Sequence, residues 1–153
     1  MERVIKFRGK RVQDGTWVFG EIHIDDLNRT TIEIPRCQYV NKEIPRVSLV
    51  DEKTIGQFTG LYDRKGTEIY EGDICRLNRY PHWNQIMCVG WHKETAHFGF
   101  RIRGESYIGC NDAFSDWIRE KRITVIGNIY DNPDWEERKK CFFTFSMKHK
   151  KRR

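Results

Sequence analysis

Two separated blocks constrain this chain more than anything else in it: QFTGLYDRKGTEIYEGD over residues 57–73 and VIGNIYDNP over residues 125–133. Each joins a short apolar or aromatic run to a break marked by glycine or proline, the local pattern of strands turned back at tight corners. In the first block Phe58, Leu61, Ile69, Tyr70 and Ile74 are the apolar positions, and Asp63-Arg64-Lys65-Gly66 is polar and ends in glycine. The pattern predicts strand, turn, strand. Asp at the head of a β-turn accepts a hydrogen bond from the backbone two residues on, and Gly66 enters positive φ without steric cost. Glu71-Gly72-Asp73 makes a second break before a strand over Ile74 to Leu77. The acids in these breaks are turn chemistry rather than an acid/base pair, since no nucleophile or metal-ligand cluster adjoins them.

The remainder of the chain repeats the strand-and-turn pattern. Val4 to Phe7 begins an extended segment, Gln13-Asp14-Gly15 offers a turn, and Trp17 to Ile24 alternates so that Ile22 and Ile24 share one face while Glu21 and His23 share the other. Thr31 to Ile34 repeats the alternation before Pro35, and Pro35 and Pro45 mark an edge or connection because proline donates no ladder hydrogen bond. Asn84 to Trp91 and Phe98 to Arg103 make a β-hairpin, with Phe98, Phe100 and Ile102 on one face and Arg101 and Arg103 about 7 Å apart on the other. Asn111 to Ile118 fits a short helix, with Phe114, Trp117 and Ile118 at helical spacing. Ile123 to Tyr130 returns to strand, and Asn132-Pro133 followed by Asp134, Glu136 and Glu137 predicts a helix start capped by Asn.

On the residues of the two blocks, in that order and at that separation, the chain resembles the YopX family of phage and prophage proteins. The resemblance extends from the first strand, KFRGK, to Pro133, although the first third matches mainly by pattern, and the tail beyond Asp134 departs from it. It implies a mainly β fold with SH3-like barrel elements, additional strands, and one or two short helices including one near the C-terminus. It further implies an origin in mobile genetic elements, and a phage or host protein is the expected kind of partner. No molecular function is established for the family, so it transfers no catalytic residue, cofactor or metal.

The 153 residues fit one domain over 1–137, with 1–50 a candidate subdomain and 138–153 a tail. Five scattered cysteines, Cys37, Cys75, Cys88, Cys110 and Cys141, do not form a disulfide framework and suit a reducing cytoplasm. No run approaches the ~20 apolar residues of a membrane span, which points to a protein without integral membrane association. The formal charge of +6 is concentrated at one end: residues 138–153 carry eight Lys and Arg and no acid, leaving 20 basic against 22 acidic side chains, a net −2, in residues 1–137. A polyphosphate partner would therefore meet the tail or a local patch.

Three constellations carry candidate chemistry. Cys88, His92, His97 and Cys110 are metal-competent but lack the close ligand pairs of a structural zinc site, and no metal is assigned to them. Arg76, Arg79, Tyr80 and Trp83 alternate charge with aromatic faces around Pro81, so the arginines suit phosphates and the rings suit stacked bases. The same residues suit better the covered end of a barrel or a subunit interface, where aromatics and Arg are also enriched. The tail joins Phe142, Phe143 and Phe145 to Lys148, Lys150, Lys151, Arg152 and Arg153, a combination that packs on the chain itself, on a neighbouring subunit, or on a membrane surface or nucleic acid. These features lead to a non-enzymatic binding or accessory protein that forms a homo-oligomer, with nucleic-acid binding as the alternative and an enzyme with a cryptic pocket ranked last.

Overall fold

The computed structural model of the chain describes residues 4–36, 44–79, 83–93, 96–102 and 122–136. They form nine strands, β1 (Phe7–Arg11), β2 (Trp17–Ile24), β3 (Thr30–Glu33), β4 (Val47–Tyr62), β5 (Glu68–Tyr70), β6 (Asp73–Arg79), β7 (Trp83–His92), β8 (His97–Ile102) and β9 (Ile123–Asn128), followed by a 3-10 turn over Pro133–Glu136. All pairings are antiparallel, so the mainly β expectation holds.

The first sheet closes on itself. β1 pairs with β2, β2 with β3, β3 with β4, and β4 returns to β1. Closure depends on β4, a 16-residue strand that meets β3 at its start, β1 in its middle and β5 at its end. A strand serving three partners must bend, and the register with β1 jumps between Arg8 opposite Gly56 and Lys10 opposite Asp51. The bulge is held by Thr54, whose Oγ1 accepts the Lys10 N–H at 2.8 Å and donates to the Asp51 carbonyl at 2.7 Å. Inside the ring Val18, Ile32 and Val50 are buried, with Phe7, Ile22 and Ile55 packed around them. Ile24 departs from the expected alternation: it is 60% exposed, because β2 has by then run past this core to the turn that leads into β3. These pairings define a four-strand ring; they do not establish an SH3-like barrel.

The second sheet is open, in the order β8-β7-β6-β9. One face buries Cys75, Leu77, Met87, Val89, Phe100 and Ile123 beneath Ile69 of β5 and Leu61 of β4. Each such apolar side chain contributes roughly 1.5–3 kcal/mol on burial, so this face is the larger apolar contribution to the fold. The other face buries Ile74 and Cys88 under Trp135, with Ile86 and Ile129 beside them, which explains why the 3-10 turn docks where it does. That turn lacks the expected Asn cap: Asn132 Nδ2 donates backward to the Asn128 carbonyl at 3.1 Å, while its own carbonyl accepts the Trp135 N–H at 3.1 Å. The expected helix over 111–118 lies outside the described residues.

The first-block turn has the predicted chemistry and a further role. Asp63 Oδ1 accepts the N–H of Lys65 at 2.7 Å and of Thr67 at 2.9 Å, and Gly66 takes φ of 83°. Asp63 Oδ2 accepts the Val125 N–H at 3.0 Å, tying the turn to β9. Burial pushes this carboxyl upward, but the backbone donors Thr67, Val125 and Lys65 outweigh it and hold its pKa below the ordinary value.

Candidate functional site

The polar residues of both blocks converge on one seam between the ring and the open sheet. Its origin is the sequence Lys6-Phe7-Arg8-Gly9-Lys10: alternate residues of an extended segment point the same way, so three cations line one face. Each meets an acid much further along the chain at 2.5 Å, Lys6 with Glu68 of β5, Arg8 with Asp73 of β6 and Lys10 with Asp131. Aromatic rings fill the gaps. Lys6 lies over Phe58, the Arg8 guanidinium sits 4.9 Å from the Trp17 ring and 5.0 Å from the Tyr70 ring, and Lys10 lies 5.4 Å from Trp17.

Burial grades these pairs. The Arg8 and Asp73 side chains are 8% and 2% exposed, whereas Asp131 is 43% exposed. Burial raises the pKa of Asp73, while Arg8 and the Tyr70 N–H, which Asp73 Oδ2 accepts at 2.8 Å, pull it back. Arg8 Nη2 also donates to the Glu71 carbonyl at 3.1 Å, and its Nε has no hydrogen-bond partner among the described residues. Asp73 Oδ1 makes no well-aligned hydrogen bond although it lies 2.5 Å from Arg8 Nη1; the contact is an ion pair, and at that distance the charge interaction is what counts. Burial and the Glu68 carboxylate, which accepts its hydroxyl at 2.7 Å, push the Tyr70 pKa up.

The second block supplies the outer wall. Asn128 Oδ1 accepts the N–H groups of Tyr130 and Asp131, and its Nδ2 donates to Asp131 Oδ2 at 2.7 Å. Trp17 Nε1 donates to the same Asp131 oxygen at 3.0 Å. Tyr130 packs on the Trp17 ring and closes over Gly72, where φ is 83° and a Cβ would lie 2.9 Å from the Tyr130 ring. Glycine is required there on both counts. The Lys10 ammonium, aided by Asn128 and Trp17 against partial desolvation, holds the Asp131 carboxyl down to about 2.

Chemically the seam is a joint. Its acids are engaged by cations and backbone donors, and burial holds the Cys75 thiol in its protonated form. A shallow groove of about 590 Å³ lies elsewhere, beside the β4 bulge, lined by Arg11, Arg29, Lys53, Asp51 and Glu52 among others and by no His or Cys. Among the described residues no group of three or more His, Cys, Asp or Glu is placed to hold a metal ion, and no helix is long and apolar enough to cross a membrane.

The residues singled out in the sequence are distributed as follows. Arg76 is exposed within β6, opposite Ile86 and Thr124, and Arg79 and Trp83 are register partners where β6 meets β7. Tyr80, Cys110 and Lys148, Lys150, Lys151, Arg152 and Arg153 lie outside the described residues. Cys88 pairs with Arg101 across the sheet and is buried against Ile74 and Trp135, away from His92 and His97 at the hairpin end. The seam itself was missed in the sequence, although the Lys-x-Arg-x-Lys alternation was its available signal.

The family model described as YopX protein matches residues 6–135, and the chain belongs to that family. Among solved structures it is similar to the crystal structure of protein EF1440 from Enterococcus faecalis, at 21% identity and a TM-score of 0.52, over 87% of this chain and 98% of that one. That likeness concerns the fold. No curated protein matches the chain.

Two outcomes test the seam. Arg8→Ala should destabilise the fold by about 3–5 kcal/mol in urea unfolding, by stranding Asp73, whereas Arg8→Met combined with Asp73→Leu should cost clearly less. Asp131, held below its ordinary 3.8, contributes stability that is present above that pH and is lost as pH falls through about 2. Its carboxyl carbon should therefore titrate near pH 2 by NMR, with a stability effect kept small by solvent screening, and should move toward 3.8 in Lys10→Met.

Proposed function

We propose that this YopX-family chain acts stoichiometrically, as a cytoplasmic phage- or prophage-derived accessory protein that associates with itself through the β7–β8 end of the open sheet. One observation carries the reading. The apolar face that buries Met87, Val89 and Phe100 continues to Trp91 and Phe98, register partners whose rings meet edge-on at 5.1 Å, and there Trp91 is 41% exposed. An aromatic that extends a core face into solvent is the type of side chain that anchors protein interfaces. Sedimentation equilibrium in the presence of a chelator should show a reversible oligomer. Trp91→Ala should raise its dissociation constant at least about 30-fold, the loss of an anchor worth about 2 kcal/mol, without changing the circular dichroism. A wild-type protein that remains monomeric at working concentration overturns the reading.

A second reading is favoured by charge. Arg76 is exposed on β6, and eight of the 28 Lys and Arg lie in residues 138–153. Under it, Arg76, Arg79, Tyr80, Trp83 and the stretch Lys148 to Arg153 bind single-stranded nucleic acid. The affinity measured by fluorescence anisotropy should then fall steeply between 50 and 200 mM salt (the range over which about 6–10 phosphate contacts lose about 10³–10⁵) and should weaken when residues 148–153 are removed. Absence of a salt-dependent complex with single-stranded DNA or RNA removes this reading.

A further inference from the structure

The β7–β8 hairpin places His92 and His97 directly opposite each other, so both side chains leave the same face of the sheet. Their rings are stacked, with centroids 5.5 Å apart and planes 12° from parallel. His97 Nδ1 lies 2.9 Å from the Phe98 carbonyl. A carbonyl only accepts, so Nδ1 carries the proton and Nε2 presents the lone pair. That Nε2 is buried and has no hydrogen-bond partner among the described residues. Leaving a buried acceptor unmet is costly.

The same arrangement is what a metal-binding imidazole requires. A ligating histidine donates its other ring N–H to a carbonyl or carboxylate, which fixes the tautomer and aims the lone pair at the ion. We propose that His92 and His97 form a two-imidazole site for a divalent transition metal of the imidazole-preferring kind, such as zinc, nickel or copper(II). A metal–nitrogen bond of about 2.0–2.1 Å requires the two nitrogens to approach more closely than stacked rings allow, so His92, half-buried at the hairpin end, turns about its side-chain torsions toward His97 Nε2. Water occupies the remaining coordination positions. Cys88 is no part of the site, being four register pairs away beside Trp135.

Metal-stripped full-length protein titrated with zinc chloride in a calorimeter should bind one ion per chain. His92→Ala and His97→Ala should each weaken binding by at least about tenfold, the lower end of what disrupting a site's ligand shells costs. Circular dichroism would confirm that both variants fold, and the electron paramagnetic resonance spectrum of copper(II)-loaded wild type should show two equivalent-type nitrogen ligands whatever the variants do. Absence of zinc binding up to millimolar concentration overturns the proposal. So does affinity unchanged in both variants, which would place the ion on the remaining histidines or the cysteines, or a copper spectrum without nitrogen coupling.

Discussion

The ion pair between Arg8 and Asp73 is the contact on which the arrangement of the two sheets depends. It brings a residue of the first strand against one from the start of the open sheet, with both charges out of water. Such a pair adds little net stability of its own, because desolvation consumes most of the Coulomb attraction. Its effect is on geometry. Only one placement of the open sheet satisfies both charges while Tyr70 and Trp17 sandwich the guanidinium, and any other strands a charge in an apolar setting. Lys6 and Lys10 extend the same logic toward solvent, where pairing is weaker and register more forgiving.

The seam also accounts for what the two sequence blocks are for. Glu71-Gly72-Asp73 supplies a carbonyl and a carboxylate to Arg8 and a bare glycine to Tyr130, and Asn128-Ile129-Tyr130-Asp131 supplies the ring and acid that finish the wall. Polar residues in a recurring motif usually invite a search for chemistry. Here most of their donors and acceptors are spent on one another and on the three cations of the first strand.

Much of this was legible in the chain because strands and turns declare themselves locally. The strand over Trp17 to Ile24, the Asp63 to Gly66 corner and the β7–β8 hairpin all rest on neighbours within a few residues, and all are found where the pattern places them. Ile24 and the Asn132 cap were misjudged for the complementary reason. A strand's alternation does not say where the core beneath it ends, and a side chain's best partner can lie behind it, as the Asn128 carbonyl does for Asn132. The seam was least visible, since Arg8 and Asp73 are 65 residues apart and nothing local to either names the other. The His92–His97 stack depends on register, which a hairpin with an uncertain loop length does not specify in advance.

Because β4 serves three partners, the order in which the molecule can be assembled is restricted. Phe7 must find Gln57 before the ring exists, fifty positions further along the chain. Until β4 has left the ribosome, β1 keeps one flank of unpaired amides, and closing so long a loop precedes any reward from the contacts it makes. A nascent chain of this design is thus exposed to strand exchange with its neighbours on the same message, and slow maturation is the natural cost of a ring whose last stave is also its longest.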